Sequence, residues 1–490
     1  MGLAMIWMVA AGVTTALASS WVISAMSPFV WRPHAITQAF RAQGVRGPDY
    51  RFLVGNLREI KRLLVESAGL VLDVGCHDYG ALVLSDRKGL FPKNPVNDHV
   101  TRLLGKGLVL IDGDEWKHHW KVVHPVFNVD KLKAPNVDHM LPVTVSDCVG
   151  SMLLAWEAKL EKNNGQVEVE ITCQLEEVAA EVISHVAFGR NHKEAKELYL
   201  AQKELQFLAF SSIFNVFNLI PGFRYLPTKS NLKMHALEKE VRSVLVNIIK
   251  NRLNCKDKMG YGNDMLAIIM NTCTPEHVHK PVMSMDEIID ECKTFYLAGH
   301  ETTTQLLTWT MFLLSTHSEW QEKLREEVMR ECGREIPTAD MLNNMKLVNM
   351  FILETLRLYG PVTNIQRKAG SDIELGGIRV PEGTILSTPI KTIHRDKKLW
   401  GEDADHFKPQ RFMYGVSRAA KHPYAFLPFS MGPRACIGQN FTMIEVKVVF
   451  AMILQRFSVS LSPKYVHAPM DVFTIRPRYG LQVVLKSLQM

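Results

Sequence analysis

The stretch that decides the reading is Pro428-Phe429-Ser430-Met431-Gly432-Pro433-Arg434-Ala435-Cys436-Ile437-Gly438, which enters a helix at about Gln439. Its two glycines and a proline give a tight turn able to present backbone N–H groups toward a sulfur. A cysteine just ahead of a helix N-terminus, with Arg434 nearby, sits in surroundings that favour the thiolate, the form that ligates a metal or attacks a substrate. By itself a lone cysteine is more often an inert buried thiol. The neighbouring segments have to decide.

Upstream, Phe407-Lys408-Pro409-Gln410-Arg411-Phe412 sets a cation among aromatics, an ordinary loop when taken alone. Glu354 and Arg357 stand three apart in an apolar helical run, a spacing that permits an ion pair. The apolar flanks point to burial, where removing either partner costs about 3–5 kcal/mol, against a few tenths on an exposed helix. Further upstream, Ser284-Met285-Asp286-Glu287 reads as a capping box opening a helix to Leu314. Midway along it lies Ala298-Gly299-His300-Glu301-Thr302-Thr303. A zinc-protease helix needs histidine at position 304, and Thr304 stands there, so that chemistry is excluded. Glycine, carboxylate and hydroxyls inside an apolar helix weaken it and need partners if buried. Alone they describe a solvent-facing polar patch as well as an active site.

The chain has 490 residues, 47% hydrophobic and 22% charged, which supplies a large core and excludes disorder. Its net charge of +7 comes from basic residues spaced singly, which argues against a nucleic-acid groove and suits an anionic membrane or an acidic protein partner. Eight dispersed cysteines without a C-x-x-C pair argue against a disulfide scaffold or a zinc site, and for a reducing compartment. Residues 1–31 carry no charged side chain, and residues 3–23 are almost wholly apolar. At about 1.5 Å per residue they can cross a hydrocarbon core of about 30 Å. Arg32, Arg41, Arg46 and Arg51 follow, a positive flank that stays cytosolic. Residues 207–223 are dense in aromatics and read equally as a core helix or a loop dipping into a bilayer. The rest is chiefly helical, with late strands and a hairpin turning at Gly376-Gly377.

Together and in this order, the four segments resemble the cytochrome P-450 haem-thiolate monooxygenases. Residues 429–438 match the family's F-x-x-G-x-R-x-C-x-G loop in full, Glu354 and Arg357 its E-x-x-R, residues 407–412 its P-x-R-F-like element, and residues 298–303 its A-G-x-E-T-T helix. His394-Arg395-Asp396 also fits, and details elsewhere look like a plant group that includes in-chain fatty-acid hydroxylases of grasses and hormone-oxidising enzymes. The resemblance implies a mainly α fold with small β-sheets and an N-terminal transmembrane helix. It divides the chain into a membrane anchor over 1–31, a Pro/Gly linker over 32–48 and a haem-binding catalytic domain over 49–490.

The resemblance also assigns roles. Cys436 would be the axial ligand of haem b iron, with Phe429 beside the cofactor, Gly299 leaving room for dioxygen, and Trp116, Arg367 and Arg434 holding the haem propionates. Thr302 with Glu301 would carry protons during dioxygen activation. Glu354, Arg357 and Arg411 would lock the scaffold behind the cysteine loop. Electrons would come from NADPH through a cytochrome P-450 reductase docked near Arg418, Lys421 and Lys447, at the endoplasmic reticulum membrane with the catalytic domain facing the cytosol. A lipophilic substrate, a fatty acid foremost, would be read by residues 100–104, 207–214, Phe295, residues 361–365 and 472–474. The alternatives are a terpenoid or steroid-type hormone hydroxylase, or a non-catalytic haem protein.

Two departures stand out. Family members carry arginine four residues after Trp116, and here Trp120 takes that place, with His119 or Lys121 as conceivable substitutes. The neighbouring His118, His119 and His124 invite a metal reading that ranks far below the haem one. Second, a few dozen residues that make two strands of the main sheet and a following helix are expected ahead of Leu84 and are missing near Gly80.

Overall fold

The computed structural model describes residue 20 and residues 31–45, 76–96, 98–127, 141–189, 192–212, 223–259, 264–273 and 282–488. The expected anchor lies outside them except for Ser20 and Trp31, and among the described residues no helix is long and apolar enough to cross a membrane. Much of the segment read as a linker is helical: α1 (Trp31–Ala42) holds Pro33 in its first turn, where a missing N–H costs nothing.

Helices dominate. Those that matter for the site are α2 (Cys76–Leu84), α3 (Asp98–Leu104), α4 (Gly113–Val123), α5 (Leu141–Lys162), α6 (Thr172–Phe188), α7 (His192–Ser212), α8 (Lys229–Met259), α9 (Met285–Thr316), α10 (Lys346–Tyr359) and α11 (Gln439–Arg456). The long helix α9 runs through the middle, packed on α6, α10 and α11. Its start is fixed as the sequence suggests. The Ser284 hydroxyl accepts from the Glu287 N–H and the Glu287 carboxylate accepts from the Ser284 N–H at 2.6 Å. Several of its interior hydroxyls are satisfied by back-bonding one turn, with Thr302 donating to Ala298 O, Thr304 to His300 O and Thr308 to Thr304 O at 2.7–2.8 Å. Helix α8 continues to Met259.

The sheets are small. β1 (Gln166–Glu170) and β2 (Phe457–Leu461) flank β3 (Gln482–Ser487) antiparallel. β4 (Ile365–Lys368) pairs with β5 (Ile385–Thr388), and Ile373–Leu375 pairs with Ile378–Val380. That hairpin turns on Gly376 and Gly377 at φ 60° and 75°, the left-handed pair a two-residue turn demands. Among the described residues the β4–β5 sheet has two strands, extended by a single bridge from Lys93 to Arg367. The stretch from 46 to 75, where further strands would fall, lies outside the described residues.

Candidate active site

A cavity of about 330 Å³ lies between α9, the cysteine loop and the loop after α10. Cys436 is on its wall, with Ala298, Gly299 and Thr302 of α9 also lining it. The cysteine loop is folded by its own backbone: Cys436 N–H donates to Phe429 O at 2.8 Å and Ala435 N–H to Gly432 O at 3.1 Å. Gly432 has φ +72°, and a Cβ there would lie 2.6 Å from Leu84 O and Ser85 Cα, so only glycine lets the end of α2 press on the loop. Phe429 and Arg434 line the same cavity, as expected. The Cys436 side chain is exposed to the cavity, and the Arg434 guanidinium is turned to Asp112 rather than to the sulfur. The sulfur ionises on binding a metal.

Behind the loop the expected lock is assembled. Arg357 donates to both oxygens of Glu354 at 2.7 and 2.8 Å, and to the carbonyls of His394 at 2.7 Å and His406 at 3.0 Å. Glu354 also accepts from Lys408 N–H at 2.9 Å, and Arg411 lies 3.5 Å from it. His394 ties this lattice to the cysteine loop: it donates from Nδ1 to Arg357 O at 3.1 Å and accepts at Nε2 from Leu427 N–H at 2.9 Å. Burial, aided by Arg357, pushes its pKa down to about 3, so it is neutral.

Other residues sit where the sequence did not place them. Glu301 was expected beside Thr302, but it does not line the cavity. Consecutive helix positions diverge by about 100°, and Glu301 points to the other side of α9. There it accepts from Gln206 of α7 and from Arg476, each at 2.6 Å, and from Thr474. Gly299 was expected to leave room for dioxygen. A Cβ there would lie 2.8 Å from Ile183 Cδ1, so its bareness admits the α6 side chain to the cavity wall. Of the substrate-reading segments, Phe295, Pro361, Val362 and Ile365 line the cavity. Residues 100–104 and 472–474 do not: α3 spends its apolar face on α7 and α9, with Leu104 O accepting from Thr294 at 2.8 Å. Phe207 is 72% exposed on α7, and residues 213–222 lie outside the described residues.

The cationic wall is the part that sequence reasoning read incompletely. Trp116 lines the cavity and stacks on the Arg434 guanidinium at 4.1 Å. Arg434 bonds Asp112 and the Ile111 carbonyl, the latter at 2.9 Å, while Arg367 is buried, does not line the cavity, and among the described residues its guanidinium bonds the Gln366 carbonyl at 2.9 Å. Lys93, which no motif flagged, lines the cavity too. Burial, then Arg367 and Arg434, push its pKa down to about 7, and burial pushes Arg434 down to about 10. Trp120 also lines the cavity and packs against His124, the two rings tilted by 30° with centroids 4.2 Å apart. Neither proposed substitute reaches it. His119 is fully buried at 2.6 Å from Glu291 and 3.5 Å from Glu287, and Lys121 is exposed. His118 bonds Val282 O at 2.7 Å, so the three histidines do not converge on a metal. Although burial opposes it, the two carboxylates raise the His119 pKa, and burial raises that of Glu291.

A thiol on the wall of an apolar cavity flanked by excess positive charge fits an amphiphilic metal cofactor with acidic edges, which is what haem b is. The comparisons agree. The Cytochrome P450 family model matches residues 71–483, and the chain belongs to the cytochrome P450 family. It is 42% identical to cytochrome P450 709B3 of Arabidopsis thaliana over 498 residues, covering 93% of this chain and 94% of the relative. It is 36% identical to cytochrome P450 734A6 of Oryza sativa subsp. japonica over 521 residues, covering 95% and 94%. The retinoic acid bound cyanobacterial CYP120A1 superposes with a TM-score of 0.70 at 25% identity, covering 84% of this chain and 88% of that one. The protein is a cytochrome P450 monooxygenase. Both alignments run longer than the part of this chain they contain, so some positions of each relative face gaps here.

Proposed function

We propose that the protein hydroxylates a C–H bond of a lipophilic substrate, a long-chain fatty acid foremost, using dioxygen and electrons from NADPH delivered by a reductase. The observation that carries this is Cys436 on the wall of a mainly apolar cavity that also exposes Thr302. Haem, held by Cys436 with Trp116, Arg367 and Arg434 at its acidic edge, supplies the activation of dioxygen. The chain supplies the surroundings. Phe295, Val362 and Ile365 give the substrate an apolar wall and keep bulk water out. Thr302, its hydroxyl hydrogen held by Ala298 O at 2.7 Å, can accept a hydrogen bond from a cavity-bound group and pass a proton on. The preference for an acid is supported by the solved relative, whose bound retinoic acid is a long apolar carboxylic acid. Retinoic acid is also an isoprenoid, which supports terpenoid hydroxylation as the second reading.

We place the protein at the endoplasmic reticulum membrane through residues 1–31, with Arg418 and Lys421 exposed on the cysteine side to meet an acidic reductase. The first test is a carbon-monoxide difference spectrum of the reduced protein in membranes. The band of thiolate-ligated haem is expected and is lost in Cys436→Ala; intact protein with no band rejects the assignment. Product analysis with NADPH, reductase and matched panels of fatty acids, terpenoids and steroid hormones then separates the readings. Turnover of the fatty-acid panel alone supports the first.

A further inference from the structure

Lys93 and Arg434 line the cavity, and buried Arg367 lies beside Lys93 without lining it; of the carboxylates near these three, Asp112 is bonded by Arg434 and Asp86 acts on Arg367. Among the described residues no carboxylate pairs with the Lys93 ammonium or the Arg367 guanidinium. Moreover, Lys93 and Arg367 are directly opposite partners in an antiparallel bridge, a placement that is destabilising for like charges. The arrangement is not slack. Lys93 N–H is bonded by Asp112, and Lys368 N–H donates to Pro92 O at 2.9 Å, so the lysine backbone is pinned on both sides. Asp112 and Asp86 are the carboxylates near this cluster, and neither pairs with the Lys93 side chain, so an amine between two guanidinium groups stands without a direct anionic partner at the edge of an otherwise apolar cavity. That is the complement of an apolar ligand carrying a carboxylate. Trp120, on the same wall, adds bulk but no charge.

We propose that Lys93 is a cofactor-binding residue whose ammonium bonds a propionate of haem, supplying a positive contact that Trp120 cannot. This rests on the haem reading of the cavity. Asp112 then orders the cluster: it holds Arg434 in place by its carboxylate and Lys93 by its backbone, while leaving the lysine side chain for the ligand. Binding of the carboxylate relieves the repulsion between Lys93 and Arg367, so cofactor retention depends on a residue far in sequence from the cysteine loop.

The test measures haem transfer from the loaded protein to excess apomyoglobin. Lys93→Met is expected to lose haem about tenfold faster or more, the loss of one charge-assisted bond. Its carbon-monoxide band should keep its position, because Cys436 is untouched. Lys93→Arg should retain the wild-type rate, and Lys93→Met with Trp120→Arg should recover much of it by returning a cation to the same wall. A wild-type rate in Lys93→Met, with Arg434→Leu accelerated in parallel, overturns the assignment. Equal acceleration in Lys93→Met and Lys93→Arg, with no recovery in the double variant, also overturns it in favour of a purely structural bridge. Wild-type protein that takes up no haem rejects the reading of the cavity itself, a result distinct from either.

Discussion

Two polar clusters flank the cysteine loop, and they balance charge in opposite ways. Behind it, Glu354 and Arg357 are fully buried, and each finds a partner for its charge and further bonds to backbone groups. At the cavity edge, Lys93 and Arg434, with buried Arg367 beside them, use the same kinds of side chain, but among the described residues only Arg434 of the three bonds a carboxylate. The first cluster is closed and has nothing to offer a ligand. The second is open on one side and has its surplus facing the cavity. Whether a buried charge is structural or functional thus depends on whether its partners are complete.

The comparison can be broken most forcefully at Arg357. Arg357→Ala leaves Glu354 buried and uncompensated and should cost about 3–5 kcal/mol in denaturant unfolding; a cost below about 1 kcal/mol means the lattice is not closed. Asp112→Asn should cost less, about 1–3 kcal/mol. Added salt should return part of that by screening the cations it uncovers, whereas Arg357→Ala should gain little from salt.

Two of the buried histidines, His394 and His119, sharpen the contrast by pH. His394 has a folded pKa near 3, against about 6.5 when unfolded. Its contribution is therefore complete above about pH 6.5 and is lost as pH falls toward 3, by at most about 1.4 kcal/mol per pH unit. His394→Gln should flatten this acid limb of the stability profile. His119 has the opposite sign, because its folded pKa is raised. Its contribution is complete below about pH 6.5 and lost as pH rises through the folded value, and the raised pKa of Glu291 acts in the same direction. His119→Gln should flatten that limb while leaving the acid one unchanged. The smallest stability effect is expected at Thr302→Ala, within about 1 kcal/mol, although it should uncouple oxygen consumption from hydroxylation in a paired oxygen and product assay. Retained coupling rejects the proton role of Thr302.

What could be read from the chain is what lies close together along it. The cysteine loop, the Glu354–Arg357 spacing, the Ser284 cap and the Gly376-Gly377 turn are each set within a few residues, and all four formed. The misplacements concern contacts between distant segments. Nothing near Lys93 announces that Arg367 will lie opposite it, and nothing near Gly299 announces Ile183. Glu301 was read with its neighbour Thr302 because they adjoin in sequence, whereas the helix sends adjacent residues to different faces. Residues 100–104 were assigned to substrate, but their apolar side chains are consumed by packing on α7 and α9.

The Glu301 carboxylate has one more consequence. It is the common terminus for Gln206 on α7 and for Thr474 and Arg476 near the C-terminus, with Phe210 of α7 stacked on Phe473 at 4.9 Å beside it. Stretches more than 250 residues apart are thereby tied at one point, so neither can be exchanged independently of the other. In an evolving gene, or in an attempt to graft a relative's selectivity onto this chain, α7 and the C-terminal strands should be inherited as a single block.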